Sequence, residues 1–360
     1  MKAMIMAAGV GSRLRPLTAT IPKPMVPIVN RPVMEYCVNL LKNHGIVDMI
    51  ANTHYLPECI TGYFADGQSL GVNLRYSYEK ELLGTAGGVK NNKWFLDRTF
   101  IIVSGDALTN INISEMLAFH KQKNALATLA VKAVSDVTQY GVIVRDENDK
   151  IIAFQEKPKK EEALSKLVNT GIYIFEPEIF DYIPDGFYDF GKELFPKLAA
   201  MNEAIYGYET RDYWCDVGNI DVYKTANWDV ISGKYRLKNL EAAPLGVNVR
   251  MEDKGMDTGM DTGMDTGNTM ILGANCELGK GVVLKQAIIL ENTIVSDNVR
   301  VDNSIIGPNC IIGKNTQIGP NVVLGAESIV GDNVYIKDGV TISPRKVIKK
   351  GSVIESDIAV

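Results

Sequence analysis

Residues 3–27 read Ala3-Met-Ile-Met-Ala-Ala8, then Gly9-Val-Gly11-Ser12-Arg13-Leu-Arg15-Pro-Leu-Thr-Ala-Thr-Ile-Pro-Lys23-Pro-Met-Val-Pro27. A short apolar run reads as a strand, and it empties into a loop with two early glycines, a hydroxyl, two arginines and a lysine. Glycine lets a backbone approach a ligand closely, and its bare N–H groups can cradle phosphate. Arg13, Arg15 and Lys23 supply positive charge suited to a polyphosphate. In open α/β sheets ligands bind off the carboxyl ends of the strands, so the run predicts such a sheet with Ala8, Gly9, Gly11, Ser12 and Arg13 around a nucleoside triphosphate. It is not a Walker loop, because no Gly-Lys-Ser/Thr closes it, and not a dinucleotide fingerprint, because Arg-Pro stands where a helix would begin. An isolated Gly-x-Gly is equally the mark of an ordinary turn.

Outward from this stretch, the chain to about residue 235 alternates strand-like and helix-like patterns, the βαβ rhythm of a parallel-rich sheet. Strands are expected over 3–8, 48–52, 73–78, 99–103 and 125–131, and helices over 33–44, 57–64, 86–95 and 113–122. A hairpin is expected over 140–154 around Asp146-Glu-Asn-Asp149. Later strands fall at 170–175 and 204–217, later helices at 189–201 and 219–232.

Met-Asp-Thr-Gly then repeats three times from Met256 to Gly267. Small, polar and punctuated by glycine, residues 237–268 read as a connector, with a turn stack as the alternative. From residue 269 to 360 the text changes to sixes: Ile271-Leu-Gly-Ala-Asn-Cys, Glu277-Leu-Gly-Lys-Gly-Val, and later Ile311-Ile-Gly-Lys-Asn-Thr, Gln317-Ile-Gly-Pro-Asn-Val. An aliphatic residue every sixth place is the mark of a parallel β-helix, six residues to a flat side and three sides to a coil. The aliphatic should point inward, with Gly or Asn at the corner where φ is positive. Two sides run one residue short, near Lys285 and Asn303. The pattern resembles the left-handed β-helix family.

The chain of 360 residues is 46% hydrophobic and 22% charged with net charge −5, which fits a globular two-domain protein and argues against nucleic acid as a partner. No apolar run approaches the roughly 20 residues of a membrane span. No leader is evident and the five cysteines form no CxxC pair, so reduced thiols and a cytoplasmic location are expected. His44, His54 and His120 lack metal-ligand spacing.

Further motifs sit after predicted strands. Leu83-Gly84-Thr85-Ala-Gly-Gly88 follows one, and there Gly84 could let a flat base lie on backbone while Thr85 caps the next helix. Val103-Ser-Gly-Asp106 and Trp214-Cys-Asp216 each end a strand in a carboxylate, and two such acids can hold one Mg²⁺ that also takes phosphate oxygens. Either alone is equally a cap or turn residue. Glu156-Lys157-Pro158 follows the hairpin, where a Glu-Lys pair is otherwise plain surface charge.

Together these strings resemble the sugar-1-phosphate nucleotidylyltransferases over roughly residues 1–232, with Ser12 where that family usually has Thr. The resemblance implies a Rossmann-like mixed sheet in a nucleotidyltransferase domain (1–236). It implies that residues 83–88 meet the base, that Asp106 and Asp216 bind the catalytic Mg²⁺, and that Arg13, Lys23, Asp106 and Lys157 are catalytic. Gly141, Glu156, Lys157, Asn169 and Thr170 would hold the sugar 1-phosphate. Relatives acting on uridine or thymidine nucleotides tend to place Gln where this chain has Glu79; a carboxylate only accepts hydrogen bonds, and guanine offers two adjacent donors, so Glu79 leans toward GTP. A solvated strand-end acid is its plain alternative. The combination most resembles mannose-1-phosphate guanylyltransferases, with glucose 1-phosphate and UTP, dTTP or ATP as the alternative pair and a catalytically silent regulatory subunit as another. The expected partners are GTP and a sugar 1-phosphate, and further copies of the chain packed through the β-helix. Acyl transfer is disfavoured because residues 233–360 contain no histidine, and a glycosyltransferase because no Asp-x-Asp follows the strand at 101–104.

Overall fold

A computed structural model describes residues 1–236 and 270–359; the proposed connector at 237–268 lies outside them. By contacts the chain forms two units. One holds Met1–Val10, Pro22–Met25 and the first described segment from Pro32 onward; the other holds Gly11–Ile21, Val26–Arg31 and the second described segment.

The first unit is built on a mixed sheet. Phe100–Ser104, Lys2–Met6, Asp48–Thr53 and Asn73–Tyr78 lie side by side in that order and run parallel. Leu167–Phe175 extends the sheet antiparallel to Phe100–Ser104. Its other edge is shared by Ala127–Ala133 and Gly141–Arg145, with an irregularity between Asn169 and Tyr173. Ile151–Glu156 closes the expected hairpin on Gly141–Arg145, and Asp149 N donates to Asp146 O across its turn at 3.1 Å.

Alternation along the parallel strands feeds two cores. Ala3 and Ile5 pack on one face with Met34, Leu41 and Phe64, beneath the helices Val33–Asn43 and Pro57–Phe64. Met4 and Ile102 pack on the other with Val89, Phe175, Phe190 and Phe195. Burial on both faces explains why Lys2–Met6 and Phe100–Ser104 read as apolar runs.

Three expected elements differ. The strand expected at 204–217 is two, Ile205–Glu209 and Trp214–Asp216, in separate sheets. A side-chain turn breaks it: Thr210 Oγ1 donates to Asp212 Oδ2 at 3.0 Å, and Asp212 N donates back to Thr210 Oγ1. The helix expected at 86–95 is Gly84–Lys90. The one expected at 189–201 opens with a π-turn, Phe190–Leu194, before Phe195–Ala200; Asp189 caps it by accepting from Gly191 N and Lys192 N.

In the second unit, the second described segment forms three sheets of five parallel strands, the arrangement of a left-handed β-helix. Leu272, Ile289, Ile306, Leu324 and Ile342 line one inner side and pack with their counterparts from the other two. Successive coils are 17 residues apart at Asn275–Asn292 and at Asn292–Asn309 but 18 at Asn303–Asn321, which places the two short sides where the sequence read them.

The corners refine the glycine reading. Positive φ falls mostly on asparagine, such as Asn292, Asn309 and Asn315, whose amides bond coil to coil: Asn275 to Asn292 at 3.1 Å, Asn292 to Asn309 at 3.2 Å. The recurrent glycine after the aliphatic has a different cause. A Cβ at Gly273 would lie 2.2 Å from Glu291 N, and one at Gly313 would lie 2.5 Å from Asp332 N. It is small because the next coil passes over it. In the same unit, Asn30 donates to Leu272 O at 2.7 Å. Among the described residues, no helix is long and apolar enough to cross a membrane, and all five cysteines are free.

Candidate active site

The carboxyl ends of the four parallel strands open into a cavity of about 320 Å³. Met6, Asn52, Glu79 and Ser104 mark those ends, and Ala8, Gly9, Lys23, Gly84, Thr85, Asp106, Tyr173, Phe187 and Asp189 also line it. This is the strand edge where an open α/β sheet binds its ligands.

Two charged side chains of its wall, Lys23 and Asp106, meet a third, Asp216. Lys23 Nζ donates to an oxygen of Asp106 and lies 3.3 Å from Asp216 Oδ1. The two aspartates come from segments far apart in sequence, and Trp214–Asp216 reaches this place by pairing antiparallel with Ala107–Thr109, Asp216 against Ala107. Ser104 Oγ donates to the second oxygen of Asp106. Burial opposes the charge on Lys23, yet Asp106 and Asp216 outweigh it and hold the ammonium above its ordinary range. Burial also opposes the charge on Asp106, and Lys23 and Ser104 outweigh that and hold its carboxyl below the usual value. Two hard carboxylate donors suit Mg²⁺, which needs only one or two acids when phosphates and water complete its shell. Among the described residues no group of three or more His, Cys, Asp or Glu is arranged to hold a metal ion.

The wall beside the base-side turn was not legible in the sequence. Residues 83–88 are stitched to 186–190: Tyr188 N donates to Leu83 O, and Ala86 N and Gly87 N both donate to Tyr188 O, all at 2.9–3.0 Å. A Cβ at Gly84 would lie 2.5 Å from Tyr188 O, and one at Gly87 would lie 2.2 Å from Gly186 O. These glycines therefore have a structural cause, the close crossing of two backbones. Thr85 is not the helix cap; Leu83 holds that position. Thr85 Oγ1 instead donates to Asp189 Oδ2 at 2.9 Å and accepts from Phe190 N at 2.7 Å.

Glu79 is 3% exposed, so the solvated-acid alternative is overturned. Its Oε1 accepts from Asn52 Nδ2 at 2.7 Å and its Oε2 from Leu83 N at 3.1 Å. Asn52 Oδ1 in turn accepts from Ala7 N at 2.8 Å. Asn52 carried a signal the sequence reading passed over: like Asp106, it closes an apolar strand with a polar side chain.

The residues expected at the sugar phosphate are more dispersed. Glu156 packs beside Gly141 and Gly191, where an added Cβ would lie 3.2 and 2.6 Å from its Oε2. Asn169 Nδ2 donates to Tyr173 OH at 2.8 Å. Lys157 is exposed, with φ +45 and Nζ 3.7 Å from Glu156 Oε1. Thr170 departs from expectation: it is buried, its hydroxyl donates to Ala130 O at 2.8 Å, and its carbonyl accepts from Trp214 Nε1 at 2.9 Å. Its hydroxyl proton and its backbone carbonyl are thus both engaged in holding the fold. Gly11 has φ +70 at the head of the short 3₁₀ turn Ser12–Leu14, and its carbonyl accepts from Thr18 Oγ1. Ser12 and Arg13 stand on that turn, and Arg13 is exposed.

A family model described as nucleotidyl transferase matches residues 2–233. The chain belongs to the nucleotidyl transferase family. A second model, the GMPPB C-terminal domain, matches residues 256–358. Among relatives, the UTP–glucose-1-phosphate uridylyltransferase of Synechocystis is 45% identical over 267 residues, 69% of this chain and 67% of that protein. The mannose-1-phosphate guanylyltransferase of Mycobacterium tuberculosis is 34% identical over 64% of this chain and 65% of its own length. The mannose-1-phosphate guanyltransferase of Yarrowia lipolytica is 38% identical over 61% of each. The match thus spans about two thirds or less of these relatives. Among solved structures, HddC from Yersinia pseudotuberculosis complexed with GMP-PN shares the fold, with TM-score 0.56, 24% identity, and coverage of 64% of this chain and 99% of that one. A UDP-glucose pyrophosphorylase complexed with UDP-glucose gives TM-score 0.56 at 23% identity, covering 65% and 99%.

Proposed function

We propose that this family member transfers a nucleoside monophosphate from a triphosphate to a sugar 1-phosphate. A phosphate oxygen of the sugar phosphate attacks the α-phosphorus in line; the new P–O bond forms as the bond to the β-phosphate oxygen breaks, and pyrophosphate leaves. The incoming phosphate is already a competent nucleophile, so the chain needs to position the substrates and neutralise charge rather than supply a nucleophile. The observation that carries this reading is the meeting of Lys23 with Asp106 and Asp216, where Lys23 and Asp106 line the strand-end cavity.

In this reading Lys23 neutralises the α-phosphate and the incoming phosphate, and Ser104 fixes the rotamer of Asp106. Asp106 and Asp216 would hold Mg²⁺, which when bound supplies positive charge to the phosphates. Gly9 has nothing within 4 Å of a built Cβ, the open backbone a phosphate cradle needs. Arg13 would neutralise the departing pyrophosphate, and Lys157 and Glu156 would take the phosphate and hydroxyls of the sugar.

For the substrate pair we infer mannose 1-phosphate and GTP, supported by the C-terminal family match and the guanylyltransferase relatives. Glucose 1-phosphate and UTP is a second reading, favoured by the 45% identical uridylyltransferase and by the two bonds already occupying Glu79. The test crosses four nucleoside triphosphates with mannose, glucose and glucosamine 1-phosphates and reads pyrophosphate. Turnover highest for GTP with mannose 1-phosphate supports the first pair, highest for UTP with glucose 1-phosphate replaces it with the second, and none with any pair overturns the enzymatic reading.

A further inference from the structure

The strand-end cavity has two chemically different ends. The sheet sets Phe100–Ser104, Lys2–Met6, Asp48–Thr53 and Asn73–Tyr78 side by side, so their carboxyl ends lie in a row. Asp106 follows the first, Gly9 the second and Glu79 the last. Three strand spacings, about 14 Å, separate the charged cluster at Asp106 from Glu79.

At the Glu79 end two apolar side chains, Leu82 and Phe187, line the wall. Leu82 is 45% exposed and Phe187 67%, and neither joins the apolar cores of this unit. Of the ten phenylalanines in the chain, Phe187 is the exposed one. A single exposed apolar residue is ordinary. Two on the wall of one cavity, beside the bare backbone of Gly84, are the composition of a ligand pocket.

The turn carrying Phe187 is fixed on both sides. Before it, Lys90 Nζ donates to Ile183 O and lies 3.2 Å from Asp185 Oδ1. After it, Tyr188 N donates to Leu83 O, and Tyr188 O accepts from Ala86 N and Gly87 N. Between these anchors Gly186 takes φ +92, with nothing within 4 Å of a built Cβ. Leu82 is held through the bond from Leu83 N to Glu79 Oε2. Both side chains are therefore placed before a ligand arrives, and little ordering cost falls on binding.

We propose that the ring of Phe187 stacks on the nucleobase of the triphosphate, with Leu82 bordering the same pocket, and that this contact makes the site favour a purine. The proposal rests on the reading that a nucleoside triphosphate fills this cavity. With its phosphates at Lys23 and Asp106, its base falls at the Glu79 end. Stacking on an aromatic side chain accepts any base, because each has a π-face. Phe187 therefore supplies affinity through ring area, while polar groups choose the hydrogen-bonding pattern. A two-ring purine removes more apolar surface from water than a one-ring pyrimidine does.

Isothermal titration of the full chain in Mg²⁺, without sugar phosphate, tests this with GTP, UTP and inorganic tripolyphosphate as probes. Phe187→Ala should raise Kd for GTP about 5- to 150-fold, the range that stacking one base supplies, and Kd for UTP by less. Its affinity for tripolyphosphate, which has no base, should be unchanged, and so should its thermal melt, because the ring lies outside the core. Phe187→Trp should bind GTP at least as tightly as the wild type, and Phe187→Leu, apolar but not flat, should fall between wild type and alanine. An alanine variant that binds GTP as the wild type does, or that loses GTP and tripolyphosphate equally, overturns the stack and leaves the nucleotide reading standing. A loss for UTP as large as that for GTP overturns the purine preference. A wild type that binds neither triphosphate overturns both the stack and the reading beneath it.

Discussion

Glycine does different work in the two units, and the contrast shows how each stores its structure. At Gly313 the obstacle to a Cβ is Asp332 N in the neighbouring coil, and the same clash recurs at Gly273, Gly307 and Gly331. At Gly87 the obstacle is the carbonyl of Gly186, part of one meeting of the segments 83–88 and 186–190. The β-helix is specified by a local rule applied many times, so each instance carries a small share of its stability. The cavity is specified by contacts made once, so the loss of any one changes its shape.

The largest expected effect breaks the cavity side of this contrast. Asp106→Asn keeps the volume and removes the charge that Lys23 and the proposed Mg²⁺ rely on; pyrophosphate release should fall by about 10²–10³-fold, on the scale of losing one preorganised electrostatic contact, with the circular dichroism spectrum intact. Chelation with EDTA should abolish turnover and leave the melting of the β-helix unmoved. If chelated enzyme kept full activity, the metal role of Asp106 and Asp216 would be lost.

Glycine substitution sharpens the comparison directly. Gly87→Ala should raise KM for the triphosphate and lower Tm, because the Gly186 carbonyl cannot withdraw without freeing the bonds of Tyr188. Gly313→Ala should cost about 1–3 kcal/mol of stability, the usual range for forced overpacking, and leave KM untouched. Equal kinetic effects from both would erase the distinction. Thr85→Val comes next: it leaves Phe190 N without its acceptor and should cost about 1–2 kcal/mol, read as a raised KM with modest loss in kcat. The smallest effect belongs to a single corner. Asn315→Ala removes one rung of the amide ladder and sets a Cβ residue without a local hydrogen bond at φ +58, a loss of about 1 kcal/mol by denaturant titration, whereas Asn315→Gly should be close to neutral.

The same contrast explains what could be read from the chain. The period of six, its two shortened sides and the inward aliphatics were legible, because a local rule appears in the text each time it is used. So were the parallel strands and the hairpin at Asp146–Asp149, whose patterns are short-range. The crossing of 186–190 over 83–88 was not legible, because neither segment names the other. For the same reason the second set of neighbours of Gly84 and Thr85, which line the cavity, was not read: Tyr188, Asp189 and Phe190 pack against them. The break at Thr210 falls in the polar run Glu209-Thr-Arg-Asp212, which was passed over; two side-chain hydrogen bonds there suffice to end a strand. Asp106 and Asp216 could each be read as strand-end acids, but only folding put Lys23 against both.

The two missing residues of the early coils lie one above the other, between Lys285 and Ile288 and between Asp302 and Ile305. Both fall on the same edge of the prism, where Gln286 and Asn303 take up positive φ. A length change there alters how tightly the chain rounds one bend and leaves every buried aliphatic in frame. That edge acts as a seam: it is where the solenoid takes sides one residue shorter than the rest, and where a peptide tag or cross-linking site could be spliced in without unthreading the stack.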